Sequence, residues 1–183
     1  MDFFGVMPLI RSKIKSQKKR SKKELMSAFY ASDEHKWIRS DAVLVRSFEL
    51  FWEMLSEKNI NKMAKLSNLS FVCIEQGIGA HLSKGGEGHY ILIDNNVLNY
   101  LRCVDPSIGI AAICYQIGSI LAQERRRKVT SLEWAVEADQ FVMDCGLASE
   151  MAEIVERSPH GIERNVRLSY LTSFLAKDLA PKK

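Results

Sequence analysis

From Pro106 to Gln123 the chain carries no Asp, Glu, Lys, Arg or His, the longest uncharged run in the sequence. Ile113, Ile117, Ile120 and Leu121 recur at three- and four-residue intervals, the spacing of one helical face. Ser107, Gln116 and Ser119 interrupt the run, which is too short and too polar for a bilayer span and right for a core helix. Asp105 and Pro106 suit its first turn. Glu124-Arg125-Arg126-Arg127-Lys128 ends it, and cations at a helix C-terminus gain about 0.3–1 kcal/mol each from the dipole. A helix of this kind has to be enclosed, so the other elements are expected to pack around it.

Around that helix the composition is ordinary for a globular chain of 183 residues, with 46% hydrophobic and 26% charged residues. That length supports one domain with its own core. Cys73, Cys103, Cys114 and Cys145 form no C-x-x-C pair and sit among apolar neighbours. They read as buried free thiols of a cytoplasmic protein, not as a disulfide framework or a zinc site.

Charge is distributed unevenly. The net charge is +4, yet residues 11–23 alone carry +8, through Arg11, Lys13, Lys15, Lys18, Lys19, Arg20, Lys22 and Lys23. Residues 1–23 are therefore expected to be a basic arm, residues 24–178 a single domain and residues 179–183 a tail. The arm would suit an acidic partner or, with Phe3, Phe4, Met7, Leu9 and Ile10 beside it, an anionic membrane surface. No aromatic residue is interleaved with the basic ones, which disfavours single-stranded nucleic acid. The apolar start is too short to span a bilayer, and its positive charges follow it, unlike a secretory signal.

The remaining periodicities predict a helix over residues 22–31 and one opening at Asp41. The second carries Leu44, Val45, Phe48, Phe51, Trp52 and Leu55 and ends near Lys58-Asn59. Strands are expected over residues 69–74 (LSFVCI) and 89–93 (HYILI), with Gly85-Gly86-Glu87-Gly88 turning before the second. Helices follow over residues 95–102 and from Thr130-Ser131-Leu132-Glu133, a capping box, to a stop at Gly146. Two more are expected over residues 149–157 and 162–177. His35 and His160 read as isolated loop or surface histidines.

The order of these pieces resembles the catalytic core of zinc peptidases of the His-Glu-x-x-His type with a downstream glutamate ligand. That group includes the prenyl-protein endopeptidases and the bacterial heat-shock membrane protease. The matching run is LSFVCI, Ile78-Gly79-Ala80-His81, GGEG, HYILID, Val97-Leu98 and IAAICYQIGSIL, then Glu137-Ala138-Asp139, Gly146, Pro159 and Glu163-Arg164. It covers residues 66 to 168. The resemblance implies a zincin-like α+β fold, a small mixed sheet with an edge strand packed on several helices. It also places the two His ligands on Tyr115 and Ser119, the general base on Gln116 and the third ligand on Ala135. None of these binds zinc or takes a proton from water as the motif residues do. What the resemblance implies is a non-catalytic relative without zinc or other cofactor.

Such a domain is expected to bind protein or peptide. The strand 89–93, read as the edge strand bordering the cleft, would take an extended segment by strand addition through His89, Tyr90 and Ile91. Glu137, Asp139 and Arg164 stay as supporting or binding residues. Two other classes compete. One is a divergent metal-dependent hydrolase, rearranged around His81, His89 or Glu137, with His81, Glu87 and His89 as a displaced metal site. The other is a structural or assembly protein that contacts partners through the basic arm. Cys114 as a nucleophile would need a nearby His and an exposed setting, neither of which the sequence offers.

Overall fold

In the computed structural model, which describes residues 20–66, 68–74, 80–84, 88–125 and 130–178, the uncharged run is α6 (Ser107–Glu124). Ile110, Ile113, Cys114, Ile117 and Ile120 are buried in it. Before it come α1 (Lys22–Ala31), a 3₁₀ turn at Asp33–His35, α2 (Lys36–Arg39), α3 (Ala42–Met54) and α4 (Glu57–Met63). Strands β1 (Leu69–Cys73), β2 (Ala80–Lys84) and β3 (Gly88–Ile93) follow, then α5 (Asn95–Leu101). After α6 come α7 (Ser131–Met143), α8 (Ala148–Glu156) and α9 (Ile162–Asp178). The chain is mixed α+β and mostly helical, and no helix among the described residues is long and apolar enough to cross a membrane.

Local chemistry sets several of these boundaries. Thr130 and Glu133 form the expected capping box at α7, and Ser21 with Glu24 forms a second at α1. Lys22 and Lys23 lie in the first turn of α1, as the helix expected over residues 22–31 has them, while Arg11, Lys13, Lys15, Lys18 and Lys19 lie outside the described residues. Gly146 ends the α7 segment at φ 79°, a left-handed conformation that glycine takes without Cβ strain. The apolar stripe that predicts one helix from Asp41 to Asn59 is two helices. Ser56 accepts the Asn59 N–H and starts α4, so the chain turns at Leu55 although the hydrophobic pattern runs on.

The sheet order is β1-β3-β2, with β3 parallel to β1 and antiparallel to β2. This corrects the expectation for His89, Tyr90 and Ile91. Their strand is central, its backbone bonded on both sides, and the edges belong to β1 and β2. Strand β2 has no clear hydrophobic alternation and was not expected. The sheet is small and mixed as anticipated.

The outer side of β1 is partly closed by side chains. Asn68 O accepts from His89 N and Ile74 N donates to Ile93 O, so the even-numbered positions face β3 and Leu69, Phe71 and Cys73 face outward. At Phe71 the missing strand is replaced by two side chains. The Phe71 N–H donates to His35 Nε2 at 3.0 Å, and Trp37 Nε1 donates to the Phe71 carbonyl at 3.1 Å. The other His35 nitrogen, Nδ1, donates to the Phe29 carbonyl at 2.8 Å, which fixes the neutral tautomer. His35 is thus a buried structural residue and not a surface histidine. Phe29, Phe48, Phe51, Trp52 and Phe71 close around it, most pairs meeting edge to face.

Candidate functional site

Helices α6 and α7 pack closely against each other at Gly118. A Cβ built on Gly118 would lie 2.8 Å from the Ala138 backbone and 2.9 Å from Phe141 Cβ, so only glycine permits this approach. Ala135 is buried one turn before Ala138 on α7. Tyr115 lies on α6 three residues before Gly118, 4.5 Å from ring centroid to the Arg167 guanidinium of α9. Arg167 donates through Nε and Nη2 to both carboxylate oxygens of Asp139 on α7, at 2.9 and 2.8 Å. Asp139 is fully enclosed and Arg167 nearly so.

The electrostatics follow from that enclosure. Burial pushes the Asp139 carboxyl up, opposed by the two bonds from Arg167. The guanidinium, which burial alone would lower, is held further up by Asp139, with Tyr115 and Glu163 adding to it. Glu163, 3.6 Å away on the same helix face, supplies a second, exposed carboxylate. Burial raises the Tyr115 phenol, so the ring under Arg167 is neutral. The arrangement is a forked ion pair under an aromatic cap, geometry that Arg supports and Lys does not.

The other expected site residues separate. Gln116 and Ser119 are half-buried on α6. Glu137 pairs with Arg125 at 2.9 Å near the surface, and Arg164 donates to the Glu156 carbonyl at 3.0 and 3.2 Å, closing the end of α8. Those two residues therefore serve helix ends and helix surfaces. Ile91 is fully buried in the core, so it offers nothing to a ligand. Among the described residues no three His, Cys, Asp or Glu side chains gather into a metal-holding group. His89 Nε2 lies 3.7 Å from Glu124 Oε1; Glu87 and the His81 side chain fall outside the described residues. Cys114 is buried, and its hydrogen bond with Cys145 pushes its thiol up, the reverse of an activated nucleophile. Asn59 Nδ2 donates to Cys145 at 3.2 Å.

Among the described residues, two clefts border the sheet. The larger, about 450 Å³, lies between α1 and the outer side of β1, against Phe29, His35, Trp52, Leu69 and Tyr90. The smaller, about 330 Å³, is lined by His89 and Leu121 with Lys62, Lys65, Glu124 and Arg125. Of the three residues read as strand-addition contacts, Tyr90 and His89 thus line opposite clefts and Ile91 lines neither.

No match was found among protein-family models, curated proteins or solved structures.

The one site residue that sequence reasoning misses is Arg167. It falls in the α9 repeat of Arg167, Leu171, Phe174 and Leu175, with Leu171 buried and the other two packed on the core. A charge at a seam position is the available signal, because a buried guanidinium needs a carboxylate opposite it.

Proposed function

We propose that this chain is a non-catalytic, zinc-peptidase-like domain that binds protein or peptide. The observation that carries the reading is the Tyr115–Arg167–Asp139 stack. At the positions assigned to two ligands, base and third ligand stand Tyr115, Ser119, Gln116 and Ala135, and beside Tyr115 lie a guanidinium and its carboxylate. In this reading a cation fixed by covalent chain stands in for the metal that the resemblance would put beside Tyr115. Replacing three ligands and a base together removes water activation.

Because β3 is central, an incoming segment would join an outer strand. The outer side of β1 at Leu69 borders the larger cleft, whose wall holds Tyr90, and backbone bonds there would be joined by an aromatic pocket for a side chain. The test is binding of the purified full chain to an array of extended synthetic peptides, followed by Trp fluorescence titration. Saturable binding weakened by Leu69→Pro is expected, since proline removes the outward N–H. Absence of any saturable binder, or binding indifferent to Leu69→Pro and to Tyr90→Ala, would overturn the reading.

A further inference from the structure

The larger cleft also indicates what could fill it. Its floor, Phe29 and Trp52, is already buried; its accessible apolar wall is half-buried Leu25, Leu69 and Tyr90, and its rim carries the exposed carboxylates of Asp33 and Glu34. An occupant therefore needs an apolar portion to cover the wall and cations beside it for the rim. Its backbone would have to be extended where it meets Leu69, because the next outward position, Phe71, is already taken by His35 and Trp37. Room for a strand partner is therefore limited to the stretch before Phe71, so the site takes a short segment and not a long added strand.

The chain itself contains a segment of that chemistry. Phe3, Phe4, Met7, Leu9 and Ile10 are followed by Arg11, Lys13, Lys15, Lys18 and Lys19. This segment joins the described structure at Arg20, and Arg20 lines the cleft. Leu9 is separated from Arg20 by up to about 36 Å of extended chain, enough to re-enter the cleft. A tethered segment of this length meets its site at roughly millimolar effective concentration, so modest intrinsic affinity suffices.

We propose that the cleft between α1 and β1 is a peptide-docking surface occupied by the chain's own residues 1–19. The apolar start is seated against Leu25, Leu69 and Tyr90, and the basic run lies along Asp33 and Glu34. The proposal rests on the peptide-binding reading and names the segment that an external peptide would have to displace.

The experiment places p-benzoyl-phenylalanine at position Leu9 of the full chain. After irradiation at low protein concentration, adducts are mapped by mass spectrometry. The expected result is an intramolecular adduct on residues 25–35 or 66–71, reduced roughly three- to tenfold by the rim variant Asp33→Lys with Glu34→Lys. No adduct, an adduct elsewhere, one formed only between copies, or one insensitive to the rim charges overturns the proposal. The two readings separate cleanly. If external peptides bind in a Leu69-dependent way while Leu9 fails to crosslink there, tail docking falls and the cleft stands. If neither is seen, both fall.

Discussion

The guanidinium of Arg167 lies 4.5 Å from the Tyr115 ring centroid while forking onto Asp139, so three helices meet at one buried charge pair. Tyr115 comes from α6, Asp139 from α7 and Arg167 from α9. Breaking one partner strands the other: Arg167→Met leaves a carboxylate enclosed without a counter-charge and is expected to cost about 3–5 kcal/mol. Adding Asp139→Leu should recover most of that loss, since an apolar pair of similar volume often equals a buried ion pair. Urea unfolding of the two variants beside the parent chain checks both statements. Recovery is the informative part, because simple loss of packing would add with the second change.

Gly118 makes a second prediction about the same helix pair. An added methyl would press on the Ala138 backbone at 2.8 Å, and backbone cannot turn aside as a flexible side chain can. Gly118→Ala is expected to destabilise by about 1–3 kcal/mol through overpacking. Gly161→Ala serves as the contrast, since nothing lies within 4 Å of its built Cβ, and its change should stay within about 0.5 kcal/mol. Thermal unfolding of the two variants distinguishes close helix contact from a general intolerance of Gly replacement.

How much of this was legible in the sequence differs between local and distant features. The capping box at Thr130, the stop at Gly146 and the buried face of α6 depend on neighbours within a few residues, and they appear where the residues predict. The turn at Leu55 was hidden because Ser56 has to act as a cap against a hydrophobic rhythm that continues through Ile60. Strand order was not accessible at all. A run such as HYILI has the same composition at an edge or in the centre, and what moves it inward is β2, whose AHLSK gives no strand pattern. His35 and Arg167 share one difficulty. Each is polar, each is buried, and each has a partner 28 or more positions away in sequence, so their roles emerge only when the strands and helices are assembled.

His35 carries the pH dependence. Burial lowers its pKa below the ordinary value of about 6.5, outweighing the raising effects of the Phe29 carbonyl and Glu34, while Arg39 lowers it further. The folded chain therefore holds fewer protons on this ring than the unfolded chain between the two values. Its stabilising contribution is complete above the unfolded pKa and is lost as pH falls below it, levelling off beneath the folded value. Protonation would also remove Nε2 as acceptor for the Phe71 N–H. Urea unfolding at about pH 7.5 and about pH 5.5 should show the parent losing more stability on acidification than His35→Gln. Equal losses in the two proteins would remove His35 as the source.

Whether Arg167 stands where a metal would otherwise be is tested most directly by elemental analysis of the full chain, purified without chelator. The expected content is zinc far below one equivalent, unchanged in His81→Ala. One equivalent of zinc that persists through gel filtration and disappears in His81→Ala would contradict a non-catalytic domain and point to a rearranged metal site instead.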